Sequence, residues 1–182
     1  MIEVETKYWS PGNEKVVKTL QKLGAKKLSE SSIEDVYFCH PSRDFGCSDE
    51  ALRLRKSNGS FEIEYKGPRM RGTSTKAREE ISVKVENALE AQRILERLGF
   101  REFCVVKKKR TSYAYDKMRV DVDDVEGLGE FVELEVMTES PELSSLLFDQ
   151  LRKELGLEKA ESKTYLELLL ERAGPPTGKG KA

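Results

Sequence analysis

The chain alternates charged and apolar residues with period two in one stretch after another, and many of the charged positions are carboxylates. In the first stretch Ile2, Val4, Thr6 and Tyr8 fall on one side of an extended backbone, and Glu3, Glu5 and Lys7 on the other. The same split sets Leu52 and Leu54 against Arg53 and Arg55, and Phe61, Ile63 and Tyr65 against Glu62, Glu64 and Lys66. Ile81, Val83 and Val85 oppose Arg78, Glu80, Ser82 and Lys84; Val120 and Val122 oppose Arg119, Asp121 and Asp123; Val132, Leu134 and Val136 oppose Glu133 and Glu135. The ordinary meaning of such a pattern is an antiparallel sheet with one solvated side. Two features pull against it. Asp and Glu are depleted from strands. Glu3/Glu5, Asp121/Asp123 and Glu133/Glu135 also set like charges on one face, which is costly unless cations lie between them. If the sheet curls with this face inward and helices cover the apolar face, carboxylates and cations share a lumen. Carboxylates suit Mg²⁺ or Mn²⁺, and Arg and Lys suit phosphate oxygens. The pattern asks for a polyphosphate carried with a divalent metal.

Between the strands the period becomes helical. Residues 12–23 place Val16, Val17, Leu20 and Leu23 on one stripe and stop at Gly24. Residues 87–98 open on Asn87 as N-cap and carry Leu89, Ile94, Leu95 and Leu98. Ser140-Pro141-Glu142 opens a helix running through Leu143, Leu147 and Leu151 to Gly156, and a Leu-rich helix spans residues 163–173. The Gly- and Pro-rich residues 174–182 are expected to be a disordered tail behind a single domain of residues 1–173.

At 182 residues the chain suffices for one compact domain, burying about 70% of its unfolded surface. Lys plus Arg number 32 against 33 acidic residues, a net charge of -1 that argues against a dedicated nucleic-acid binder. The run Lys107-Lys108-Lys109-Arg110 is accordingly read as part of a strand. No apolar run reaches a membrane span, and the first residues are charged where a signal peptide needs an apolar stretch, so a cytoplasmic protein is expected. Cys39, Cys47, Cys104 and the single histidine, His40, lack zinc-site spacing, so any metal must be held by oxygen. A disulfide between Cys39 and Cys47 would need the redox setting of certain hyperthermophiles. His40, beside Pro41, reads as a surface residue, and Tyr8 and Trp9 read as packing rather than as a platform for a base.

These strands resemble the CYTH superfamily, or triphosphate tunnel metalloenzymes. Glu3-Val4-Glu5-Thr6-Lys7 is similar to its Glu-x-Glu-x-Lys strand. Asp35-Val36-Tyr37-Phe38, Ala51-Leu52-Arg53-Leu54-Arg55, Tyr65-Lys66-Gly67-Pro68, Arg78-Glu79-Glu80, Lys107 to Arg110, Val120-Asp121-Val122-Asp123 and Gly127 to Glu135 follow in the family's order. The resemblance covers roughly residues 1–170. It implies an α+β fold with a closed or nearly closed eight-stranded antiparallel barrel and helices packed outside. It also implies that Glu3, Glu5, Glu133 and Glu135 hold Mg²⁺ or Mn²⁺, with Glu80 and Asp121 as further ligands or orienters of a nucleophile. Lys7, Arg53, Arg55, Lys66, Arg78 and Arg119 would grip phosphate, joined by Lys107, Lys109 and Lys163. Of these, Glu80, Asp121, Lys66 and Arg119 are the candidates for direct participation in the reaction. The implied activity is hydrolysis of a nucleoside, thiamine or inorganic triphosphate. Val122 to Gly129, Phe131 and Met137-Thr138 are similar to class IV adenylyl cyclases, which keeps cyclisation of ATP open, although Met1 and Ile2 stand where such cyclases carry several residues, a His-Phe pair among them. A non-catalytic module for polyphosphate or triphosphate-ended RNA is a third reading. Two such barrels could pair as a homodimer through an apolar strand face.

Overall fold

The computed structural model describes residues 2–68, 78–138 and 141–173, without the side chains of residues 2, 3 and 141–145. The expected tail at 174–182 and the cap at Ser140 lie outside these residues. In chain order the elements are β1 (Ile2–Trp9), α1 (Asn13–Lys22), β2 (Lys26–Cys39), α2 (Phe45–Ser48), β3 (Ala51–Ser57), β4 (Ser60–Lys66) and β5 (Glu80–Val85). There follow α3 (Ala88–Arg97), β6 (Arg101–Tyr115), β7 (Met118–Val125), β8 (Gly129–Thr138), α4 (Pro141–Leu155), β9 (Ala160–Glu161) and α5 (Tyr165–Ala173).

Period-two alternation becomes one antiparallel sheet in the order β5-β4-β3-β2-β6-β7-β8-β1-β9. The architecture is α+β, as expected, with nine strands in place of eight. The extra one is the two-residue β9, which takes the outer edge of β1 at Lys7 and Tyr8. Among the described residues no ladder joins β5 to the other end. Local chemistry sets the joints. Asn58 and Gly59 both have positive φ, 45° and 83°, which suits the tight β3–β4 hairpin. Asn87 caps α3 by accepting from the N–H groups of Leu89 and Glu90. Thr164 and Glu167 bond each other's backbone N–H reciprocally, a capping box that starts α5 at Tyr165, after the Lys163 start read from the sequence.

The apolar face of the sheet is covered by helices. Val16 and Leu20 of α1 and Phe148, Leu151 and Leu155 of α4 pack on Val4, Val120, Val122 and Leu134. α3 packs on Val36, Leu52 and Leu54. The stripe expected on α3 differs from the one observed. Ala88, Ala91 and Leu95 are buried, whereas Leu89, Ile94 and Leu98 are 65%, 60% and 65% exposed. At 100° per residue the first three form one narrow arc, and the two alanines let the helix lie close to the sheet. His40, expected at the surface, is half-buried against Phe45 and Phe100, its Nδ1 accepting from the N–H groups of Ser42 and Arg43. The three cysteines are free thiols.

This arrangement separates the leucines of α3. Leu95→Ala is expected to cost about 2–5 kcal/mol in urea unfolding, and Leu89→Ala less than about 0.5 kcal/mol; equal costs would mean the exposed flank is covered in solution.

Candidate active site

Strand register decides which charged side chains share a face. Lys7 of β1 lies opposite Glu133 of β8, and Glu133 opposite Asp121 of β7. Glu5 lies opposite Glu135, and Glu135 opposite Arg119. Across β6, Arg110 meets Asp123 and Ser112 meets Asp121. Asp35 of β2 faces Arg55, and Arg53 faces Glu64. This charged face is buried: Lys7 and Asp121 are each 2% exposed, and Asp123 is 0%. Because α1, α3 and α4 lie on the opposite, apolar side, the sheet must wrap the charged face inward to bury it.

Two ion-pair clusters result. In the first, Arg55 grips Asp35 through two bonds of 2.7 and 2.8 Å. Arg53 bonds both oxygens of Glu64 at 2.8 Å and reaches Asp35 and the Tyr37 hydroxyl oxygen. Lys66 bridges Glu64 and Glu80 at 2.9 and 2.7 Å, and Arg78 stands 3.4 Å from Glu80. Burial alone would raise the carboxyl of Asp35, but Arg53 and Arg55 outweigh it and hold it at about 2. Burial likewise opposes the ionisation of Glu64, and Arg53 and Lys66 bring it down to about 2. In the second cluster, Arg110 bonds Asp123 at 2.7 and 2.5 Å, Asp121 at 2.5 Å, and Glu133. Glu133 is held well below the carboxylate range by Arg110, Lys108 and Lys7 against the cost of burial. Lys108, 3.3 Å from Asp123, is pushed below the ordinary lysine value by burial and by Arg110.

One end of the charged face is plugged. Tyr165 and Leu168 of α5 pack with Tyr37, Val106, Val125, Leu128 and Phe131. The Tyr165 hydroxyl donates to Asp123 at 2.9 Å, and the ammonium groups of Lys7 and Lys108 lie 4.2 and 4.9 Å from its ring centre. Beyond the ion pairs lies a cavity of about 230 Å³ walled in part by Arg55, Arg110, Arg119 and Glu62. Arg119 donates to Asp121 and to the Ser112 hydroxyl.

Of the residues singled out from the sequence, Glu5, Lys7, Arg53, Arg55, Lys66, Arg78, Glu80, Arg119, Asp121, Glu133 and Glu135 all fall on this face or at its β4–β5 edge. Glu3 is placed by its backbone opposite Met137, and its side chain is outside the described set. Three lysines require correction. Lys107 and Lys109 fall on the outer face of β6, since the strand turns Lys108 and Arg110 inward; with Lys56, Glu34, Asp124 and Glu126 they line a cleft of about 510 Å³ that shares Ile33 and Ser57 with the smaller cavity. Lys163 is exposed on the approach to α5 and bonds Glu171 at 2.7 Å. Asp35, Glu64, Lys108, Arg110, Asp123 and Tyr165 were not among the predicted site residues. Four cations in succession at 107–110 hide the alternation that would have selected Lys108 and Arg110, whereas Asp123 was visible in its strand pattern.

The donor set fits a hard divalent cation. Glu5 and Glu135 are directly opposed carboxylates on one face, a pairing that repels unless positive charge intervenes. Glu133, next to them, is engaged by Arg110. Among the described residues no three acidic, thiol or imidazole groups converge as a preassembled cation site.

A wrapped antiparallel sheet with a buried ladder of guanidinium, ammonium and carboxylate groups around a small cavity defines a charged-tunnel protein. The chain belongs to the CYTH domain family, whose model matches residues 1–166. A protein of Methanocaldococcus jannaschii named "Putative adenylate cyclase MJ0240" is 41% identical over 173 residues, 92% of this chain and 98% of its own. The PH1819 protein of Pyrococcus horikoshii superposes with a TM-score of 0.82 at 37% identity, over 93% of this chain and 99% of that one. HpAC1 of Hippeastrum, with a dominant triphosphatase activity, shares the fold at 18% identity and a TM-score of 0.72, over 96% of this chain and 97% of that one. Among the described residues no helix is long and apolar enough to cross a membrane.

The carboxylates of Asp35 and Glu64 sit below their ordinary values of 3.8 and 4.5, so the unfolded chain binds more protons than the folded one at acid pH. Their stabilisation is complete above about pH 5 and is lost as pH falls towards 2. Asp35→Asn is expected to remove about 2 kcal/mol at pH 7 and to flatten the melting temperature between pH 5 and pH 2.5; an unchanged slope would show that the pair is not formed.

Proposed function

We propose that the protein is a divalent-metal-dependent phosphohydrolase acting on a triphosphate-bearing substrate in the charged tunnel. The observation that carries this reading is the buried ladder in which Arg53, Arg55, Arg110, Lys7 and Lys108 are each set against carboxylates. Positive charge in a dry, fixed array is suited to phosphate oxygens, and Arg grips them bidentately. The interleaved carboxylates would repel a bare polyanion, so the guest must arrive with cations. Glu5 and Glu135, with Glu133 next along β8, would hold a divalent cation, which would supply charge neutralisation and a water of lowered pKa.

The chain's own residues do the rest. Arg55, Arg110 and Arg119 line the cavity and orient the phosphate chain. Lys7 and Lys108, fixed over the Tyr165 ring, stabilise charge growing on the phosphate oxygens. Asp121, held by Arg119 and Arg110, is placed to orient an attacking water, while Lys66 and Glu80 close the β4–β5 side. The plug formed by α5 excludes bulk water from one end. The second reading is cyclisation of ATP to cyclic AMP and pyrophosphate, favoured by the identity to MJ0240.

Phosphorus NMR of the purified protein with ATP or tripolyphosphate and Mg²⁺ or Mn²⁺ is expected to show orthophosphate, with Glu5→Gln and Arg119→Ala each at least ~100-fold slower. Full activity in both variants would overturn the assigned roles, and cyclic AMP with pyrophosphate would make the cyclase reading correct.

A further inference from the structure

We propose that the free edge of β5 pairs with β5 of a second copy of this chain, antiparallel about a two-fold axis at Ser82.

β5 ends the sheet, and among the described residues no strand pairs with its outer edge. Such an edge is ordinarily blunted by proline, a bulge or charge, because its unpaired backbone groups are a template for another strand. β5 runs Glu80-Ile81-Ser82-Val83-Lys84-Val85 in unbroken register with β4, without proline or bulge. Ile81 and Val83 lie on the side of the sheet that helices cover elsewhere, yet they are 56% and 57% exposed. The neighbouring helix extends this surface. Gln92 on one flank of α3 donates to Glu102 of β6 at 3.2 Å, so the opposite flank, with the exposed Ile94 and Leu98, looks towards β4 and β5.

Hydrogen-bond phase fixes which residues of β5 can pair again. The Gly67 N–H donates to the Glu79 carbonyl at 2.8 Å, and these two residues continue the β4–β5 register. Bonded pairs recur at every second residue of an antiparallel ladder. Ile81, Val83 and Val85 therefore turn their backbone groups to β4, and Glu80, Ser82 and Lys84 turn theirs to the free edge. A second β5 must offer the same even-numbered residues. Centred on Ser82, the pairing sets Glu80 opposite the partner's Lys84, Lys84 opposite the partner's Glu80, and Ile81 opposite the partner's Val83. Centred on Val83, it would set Glu80 against the partner's Glu86. Charge selects the first alignment. Glu80 already accepts from Lys66 at 2.7 Å, and a carboxylate has lone pairs for a second cation. The occupant is a second copy because this one strand supplies the donors, the acceptors and both signs of charge that it needs from a partner.

Sedimentation velocity of the full chain across the micromolar range is expected to show the mass of two chains at the upper concentrations. Ser82→Pro removes the N–H at the axis. Because that N–H faces away from β4, the variant is expected to keep its melting temperature and to lose the dimer. Lys84→Glu and Glu80→Lys each place like charges opposite one another twice, and each is expected to weaken self-association at least ~10-fold. Mixing those two variants is expected to restore the dimer, since both positions then face opposite charges again. A chain that stays monomeric, or a dimer that survives Ser82→Pro and both charge variants, would overturn the proposal. So would charge variants that stay apart when mixed, because the alignment on Ser82 requires their recovery.

Discussion

Arg110 stands where three carboxylates would otherwise meet undischarged. Burying Val120, Val122 and Leu134 against α1 and α4 forces their neighbours Asp121, Asp123 and Glu133 to the inner face, because side chains alternate along a strand. Two of these residues are nearly inaccessible to water, and their mutual repulsion there would oppose the packing outside. The guanidinium from β6 bonds all three. The apolar shell over β7 and β8 and the charged interior are therefore one structural decision, joined by a single side chain. A one-residue slip of β6 against β7 would replace Arg110 by Lys109 or Thr111 and leave the acids without their fork.

The Arg53, Arg55, Asp35 and Glu64 cluster repeats this logic on β2, β3 and β4. Buried ion pairs are poor devices for stability alone, since well-packed apolar residues of similar volume usually serve as well or better. An interior that keeps its charges in matched pairs, beside a cavity, is better explained by a charged guest. The α5 plug gives that interior a direction, because one end is closed by rings and aliphatic side chains and the other opens through serines and arginines.

Much of this was legible in the sequence because the strands declare themselves twice, once by apolar and once by charged residues. Glu5, Lys7, Arg53, Arg55, Asp121, Glu133 and Glu135 follow from alternation alone. The failures have one physical root: local pattern without register. In Lys107-Lys108-Lys109-Arg110 each residue is cationic, so polarity carries no phase, and only pairing with Asp123 and Asp124 shows that Lys108 and Arg110 turn inward. On α3 the large apolar residues suggested the buried stripe, but the sheet surface accepted the flat arc of Ala88, Ala91 and Leu95 instead. Tyr165 gave no signal, since its role depends on where a helix lands more than a hundred residues after β2.

The paired interior also has a thermal consequence. The hydration of ions becomes less favourable as temperature rises, so the penalty for keeping Asp35, Glu64, Asp123 and their arginines dry shrinks on heating. The shells held by leucine and valine gain no comparable advantage. The cost of keeping the tunnel lining dry therefore falls as the molecule warms, and the charged face becomes a smaller burden on the shared sheet at high temperature than at low.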